Sequence, residues 1–196
     1  MNDDDRILIV GLQGSGKTEY AKLLIRNELE RNKKRILIFD IMDEYKNGKR
    51  IDVYRINNKA NPVYEAELCL KGLINLPKQR TGKIAYSMLV IDETAQYYPN
   101  KTILPPEFAL INHTMRHIPI KLVCITRRIS QIHTDLSELA SQLVIFKQTG
   151  INDIKRLNDI AAGLGDAAAN LGEHRYIVVN VDRSYTEHEP IKLKKD

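Results

Sequence analysis

Gly11-Leu12-Gln13-Gly14-Ser15-Gly16-Lys17-Thr18 follows the apolar run Ile7-Leu8-Ile9-Val10 and precedes a segment in which Ala21, Leu24, Ile25 and Leu29 recur at helical spacing. A glycine-rich turn between a buried strand and a helix is the setting of a phosphate-binding loop. The glycines let successive backbone amides converge on one point, toward which the helix directs its positive end. Lys17 is placed to neutralise β- and γ-phosphates, and the Thr18 hydroxyl to ligate magnesium, so the implied ligand is a nucleoside triphosphate with Mg2+. The expected nucleotide contacts are Gly11, Gln13, Gly14, Ser15, Gly16, Lys17, Thr18 and Glu19. The bare pattern arises by chance in on the order of one per cent of chains this long. The strand before it lowers that further, which disfavours a plain glycine turn.

Working outward, short β-branched runs read as strands at Arg6 to Val10, Arg35 to Asp40, Ile84 to Ile91, Lys121 to Thr126, Gln142 to Lys147 and Arg175 to Val181. A further short strand, Ile51 to Ile56, precedes a helix-like segment from Pro62 to Leu76. Ile154, Leu157, Ala161 and Leu164 recur at helical spacing, with Gly163 and Gly165 as stop signals. Strand and helix in alternation predict a mostly parallel sheet with helices on both faces.

The strand Ser87-Met88-Leu89-Val90-Ile91 runs into Asp92-Glu93. Open α/β sheets place their ligands at the carboxyl ends of the strands. Two acids delivered there suit a hydrolase, with Asp92 holding magnesium and Glu93 orienting and deprotonating the attacking water. At least one strand separates this pair from the phosphate loop in sequence. That separation favours the RecA-like (ASCE) division of P-loop folds, with core strand order 5-1-4-3-2, over kinases whose two motif strands are adjacent.

The chain has 196 residues, 43% of them hydrophobic and 28% charged, which suits one ATPase domain over residues 1–182. The mixed, lysine-ended stretch 183–196 reads as a tail, either free or packed on the same domain. The apolar runs are too short to span a membrane, and the acidic start at Asp3-Asp4-Asp5 is unlike a signal peptide, so a cytoplasmic location is expected. Cys69 and Cys124 read as free buried thiols. The net charge of +5 permits contact with a polyanion without demanding one. His113, His117, His133, His174 and His188 show no ligand spacing, and no Ser/His/Asp or Cys/His set points to covalent catalysis.

Ile120-Lys121-Leu122-Val123-Cys124-Ile125 leads into Thr126-Arg127-Arg128-Ile129-Ser130-Gln131-Ile132, and Ala140-Ser141-Gln142-Leu143-Val144-Ile145-Phe146 leads to Asn152-Asp153 and Leu157. Together with the loop and the acid pair, this series resembles the FtsK–HerA superfamily of P-loop ATPases, and within it the small viral and phage genome-packaging ATPases. The resemblance runs from about Arg6 to about Leu164 and is most specific between Arg116 and Asp153. It implies an ATP-hydrolysing translocase that pumps double-stranded DNA, assembled as a ring of five or six subunits, in the host cytoplasm or associated with a virion, with a capsid or portal vertex protein as a further partner.

On the matching positions the resemblance makes Lys17 the phosphate group, Thr18 and Asp92 the magnesium groups and Glu93 the catalytic base. Arg127 stands where the family usually has glutamine, and Ile129 where it has proline, so a guanidinium there contacts the γ-phosphate or faces a neighbouring subunit. Arg116 occupies the position of an arginine that reaches into the adjacent protomer's site. Arg128, Tyr97 and Lys101 are candidate DNA contacts, with packing and solvation as the competing readings. Basic clusters at Arg31 to Arg35, Lys46 to Arg50 and Lys78 to Lys83 read as solvated faces or a phosphate-tracking surface. Two other activities use the same loop: a small-molecule kinase for nucleosides or nucleotides, and a nucleotide-dependent switch with slow hydrolysis.

Overall fold

The computed structural model describes residues 5–55, 61–80 (backbone alone from 75), 85–113 and 120–191. Its strands are β1 (Arg6–Val10), β2 (Arg35–Asp40), β3 (Ile51–Arg55), β4 (Tyr86–Ile91), β5 (Lys121–Thr126), β6 (Gln142–Phe146), β7 (Tyr176–Val179) and β8 (Tyr185–His188). The helices are α1 (Lys17–Arg31), α2 (Pro62–Arg80), α3 (Pro106–His113), α4 (Thr134–Glu138), α5 (Ile151–Ile160) and α6 (Leu164–Ala169). Ile56 and Ile84, at the ends of two expected strands, lie outside the described residues.

One sheet carries all eight strands in the order β3-β2-β4-β5-β1-β6-β7-β8. Its middle, β6-β1-β5-β4-β2, is the expected 5-1-4-3-2 core, and every pairing within it is parallel. β3 extends one edge in parallel, whereas β7 and β8 add an antiparallel hairpin at the other. Of the stretch 183–196, residues 185–188 pack on the same domain, where β8 pairs along β7 from Tyr176↔His188 to Val179↔Tyr185. Its largely exposed side chains, Tyr185 to His188, lack the apolar period of a buried strand.

Alternation along the strands divides the core between two faces. Ile7, Ile9, Ile36, Ile38, Val90, Val123 and Val144 pack with Tyr20, Ala21, Leu24 and Ile25 of α1. The intervening Leu8, Val10, Leu37, Phe39, Leu89, Ile91, Leu122 and Leu143 pack with apolar residues from α2 to α6. Burial on both faces is why the central strands read as continuous apolar runs.

Charge enters this core as a pair: Lys121 Nζ donates to Glu28 Oε2 at 2.7 Å, with both side chains almost wholly buried. Burial pushes the Glu28 carboxyl up, but the hydrogen bond and charge of Lys121 help to outweigh it and hold the group below the usual range. Cys124 is buried and Cys69 half-buried, and neither is in a disulfide. Burial pushes the Cys69 thiol up to about 11.

Candidate active site

The parallel register brings the functional loops to one edge. Val10 lies opposite Thr126 on one side and Ile145 on the other, and Ile91 lies opposite Cys124. Gly11 to Thr18, Asp92-Glu93 and Arg127 thus leave the carboxyl ends of β1, β4 and β5 together. Backbone hydrogen bonds tie the loop to both flanking strands, from Gly11 N to Thr126 O (3.3 Å) and from Leu12 N to Lys147 O (3.2 Å).

Glycine is required at the base of the loop for space: a Cβ on Gly11 would lie 2.5 Å from Phe146 Cβ and 2.6 Å from Ser15 Oγ. Gly16, the residue before α1, adopts φ 107°, a conformation L side chains rarely take. Lys17 is buried at the start of α1, where its Nζ donates to Leu12 O at 2.8 Å. Burial pulls its pKa below the usual lysine value, against the raising influence of Glu93 and Asp92.

Asp92 is buried, and its Oδ1 accepts from Glu93 N at 3.0 Å. Burial, with Glu44, Glu93 and Asp40 adding like charge, pushes its carboxyl up to about 7. The Thr18 hydroxyl donates to Glu44 Oε2 at 2.9 Å. A buried carboxylate pressed by other acids, beside a hydroxyl, is a hard-oxygen donor set that fits Mg2+. Thr18 and Asp92 are the groups that would hold it.

Glu93 has φ 49° and ψ 48°, a left-handed backbone that is uncommon for a residue with a side chain and recurs at functional sites. A 3₁₀ turn over Thr94–Gln96 follows it. Arg127 Nε donates to Glu93 Oε1 at 2.7 Å, so the guanidinium at the end of β5 holds the carboxylate at the end of β4.

Sequence reasoning did not single out Glu44 or Asp40. Asp40 ends β2 buried, and its carboxylate accepts from the backbone of Met42, Glu44 and Tyr45, folding the following loop so that Glu44 reaches Thr18. An acid at the carboxyl end of a parallel core strand was the available signal.

Arg116 and His117 lie outside the described residues, as do parts of the Lys78 to Lys83 cluster. Tyr97 is no surface group: it is 1% exposed, with its ring tilted against Phe39 and Tyr98, while Tyr98 stacks on Phe108 at 3.7 Å. The short turn after Glu93 points both aromatics into the core, so of the two readings of Tyr97 packing holds and DNA contact is corrected.

Arg128 donates to Asp153 Oδ2 at 3.1 Å, and Asp153 also accepts from Ser130 N and Ser130 Oγ. The two segments that carried the resemblance are thus joined by one buried carboxylate. Arg128 and Lys101 nonetheless line one polar groove of about 850 Å3 beside α5. There Lys101, Arg128, Lys155, Arg156 and Arg183 outnumber Glu138 and Asp159.

The structure is similar to the genome packaging NTPase B204 of Sulfolobus turreted icosahedral virus 2 in complex with ATP-gammaS, with a TM-score of 0.81 and 21% identity over 98% of this chain and 100% of that one. It is similar also to B204, the DNA-packaging ATPase of Sulfolobus turreted icosahedral virus, with a TM-score of 0.81 and 22% identity over 98% of this chain and 100% of that one. The N-terminal domain of zonular occludens toxin from Neisseria meningitidis shares the fold at a TM-score of 0.57 and 14% identity, over 96% of this chain and 95% of that one. Comparison with curated proteins by sequence gives no match. Among the described residues, no helix is long and apolar enough to cross a membrane. Residues 4–177 match the model of the helicase HerA central domain. The chain belongs to that family, and with it to the P-loop ATPases of the FtsK–HerA type.

Proposed function

We propose that the protein is the ATP-hydrolysing motor subunit of a double-stranded DNA translocase, working in viral or phage genome packaging. The observation that carries the hydrolytic part is the convergence of Lys17, Thr18, Asp92 and the Arg127-held Glu93 at one edge of the sheet. Family membership supports the motor class, and the similar viral proteins are themselves packaging enzymes.

In this reading the loop amides and Lys17 bind the triphosphate and neutralise its charge. Thr18 and Asp92 would hold Mg2+ with the nucleotide, and the ion would supply charge neutralisation to the phosphates. Glu93 takes a proton from water as its oxygen attacks the γ-phosphorus. The bond from that phosphorus to the β–γ bridging oxygen breaks, releasing ADP and inorganic phosphate. Arg127 orients Glu93 and lies in reach of the charge that develops on the transferring group. Arg116 acts from a neighbouring subunit as an arginine finger in a ring of five or six, with a capsid or portal protein as docking partner. The basic groove with Lys101 and Arg128 follows the DNA backbone.

Hydrolysis measured against duplex DNA and protein concentration tests this reading. A motor speeds up with both. A rate indifferent to duplex DNA, together with phosphoryl transfer to a nucleoside, makes the protein a kinase, and slow turnover with nucleotide-controlled partner binding makes it a switch.

A further inference from the structure

Beside the phosphate loop lies a cavity of about 380 Å3, within the size range of small-molecule sites. One wall is the loop and the first turn of α1; the other is built by Phe146 at the end of β6, His174 before β7, and Pro190 and Ile191 after β8. Apart from Phe146, that second wall comes from the segments that flank the edge hairpin, outside the parallel core that holds the phosphate and acid groups.

The sheet order gives the cavity a direction. β4 and β5, which carry Glu93 and Arg127, lie on one side of β1, whereas β6, β7 and β8 lie on the other. A triphosphate stretched across the loop with its γ-phosphate at Glu93 therefore has its nucleoside end toward Phe146 and His174. The wall there is close and firmly backed. A Cβ on Gly16 would stand 3.2 Å from Phe146 Cε1 and 3.8 Å from His174 Nδ1. Tyr20 packs edge-on against Phe146 and Tyr176, and Ile191 packs on the same cluster.

The wall is also chemically plain. Among the described residues lining the cavity, His174 is the one polar side chain that does not belong to the loop or α1. It is held at φ 57°, a left-handed conformation of the kind that recurs at ligand-binding sites. An aromatic ring among apolar groups offers a flat face to any base and no set of donors and acceptors that reads a base edge.

We propose that this cavity receives the nucleobase and ribose of the nucleotide, held by stacking on His174 and apolar contact with Pro190 and Ile191, so that the enzyme accepts purine and pyrimidine triphosphates with little preference. The inference rests on the nucleotide-hydrolase reading. It adds a specificity role for the C-terminal hairpin.

The test is equilibrium binding of ATP, GTP, CTP, UTP and inorganic tripolyphosphate to the full chain and to H174N, H174F and I191S. Asparagine tolerates the left-handed backbone but lacks a ring, and phenylalanine restores one. The four nucleotides are expected to bind within about threefold of one another. H174N should weaken each by about tenfold, the order that losing one base–aromatic stack produces, with H174F recovering most of it. I191S should also weaken each, and tripolyphosphate binding should be unchanged throughout. A preference above about thirtyfold for one base, unaltered nucleotide affinity in both H174N and I191S, or an equal loss for tripolyphosphate overturns the base site and leaves the hydrolase reading standing. Failure of the unmodified protein to bind tripolyphosphate or any nucleotide overturns both.

Discussion

Arg127 just after β5 donates to Glu93 just after the adjacent β4 across 2.7 Å, so the carboxylate proposed as the general base is paired with a guanidinium. The backbone of Glu93 is left-handed, and its own amide is engaged by Asp92 Oδ1. Pairing and backbone together leave the side chain little choice of direction, and preorganisation of this kind favours proton transfer.

Glu93→Gln should therefore keep ATP binding and lose roughly 10² to 10⁴ in kcat. Arg127→Ala should lower kcat with little change in KM, and Arg127→Lys should restore part of it. Because the two side chains act as a unit, the double variant should fall well short of the product of the single losses. Steady-state kinetics on the four proteins checks this, and full activity in Glu93→Gln removes the base assignment.

Asp92 carries a stability cost that its function requires. Its folded pKa of about 7 lies above the ordinary value of 3.8, so the unfolded chain holds fewer protons between those values. Stability from this group is complete below about pH 4 and is lost as pH rises through about 7. In magnesium-free buffer Asp92→Asn should then be more stable than the parent at pH 8, by up to about 4 kcal/mol. The gap should close at pH 4. Denaturant melts at the two pH values measure it, and the variant should be unable to hydrolyse ATP.

The Glu28–Lys121 pair links α1, which opens at Lys17, to β5, which ends one residue before Arg127. Lys121→Met leaves a buried carboxylate without its partner and should cost about 3–5 kcal/mol, whereas Glu28→Leu with Lys121→Met should recover most of that. Glu28 is depressed in the folded state, so its contribution is present above its ordinary 4.5 and is lost as pH falls through the lower folded value. Thermal melts from pH 6 to pH 3 should show the parent losing stability more steeply than the double variant.

The phosphate loop and Asp92-Glu93 were legible because each is local: spaced glycines after one strand, two acids after another. The core order followed from the number of apolar runs between them. Glu44 was not legible, because it reaches Thr18 only through the loop that Asp40 folds by accepting three backbone amides. The Arg127–Glu93 pair joins residues 34 positions apart, a distance that only strand order brings together. Tyr97 stayed open between two readings because aromatics beside a lysine in a turn suit either a nucleic-acid surface or a core, and Phe39 and Phe108 supply the core. β8 escaped because an edge hairpin with exposed side chains needs no apolar period.

The trans action proposed for Arg116 has a separate test. Arg116→Ala and Lys17→Ala protomers should each be inactive alone, while a mixture should regain some hydrolysis at interfaces that pair an intact loop with an intact finger. Native mass spectrometry on the same mixture should show mixed rings. Mixed rings with no recovered activity place the arginine outside the neighbour's site.

The basic groove separates DNA contact from scaffolding most cleanly at Lys101 and Lys155. Arg128 is committed to Asp153, and Arg156 donates to the carbonyls of Ile129 and Ile132, so replacing either disturbs the fold as well as the charge. Lys101→Ala and Lys155→Ala change only the charge that faces the groove. Each should weaken duplex binding to a similar degree for unrelated sequences and reduce the slope of log affinity against log salt by about 1. Hydrolysis without DNA should be untouched, since neither side chain lies at the phosphate loop, while DNA stimulation should fall. Duplex binding and salt slope that stay at parent values in both variants remove this groove as the proposed DNA path.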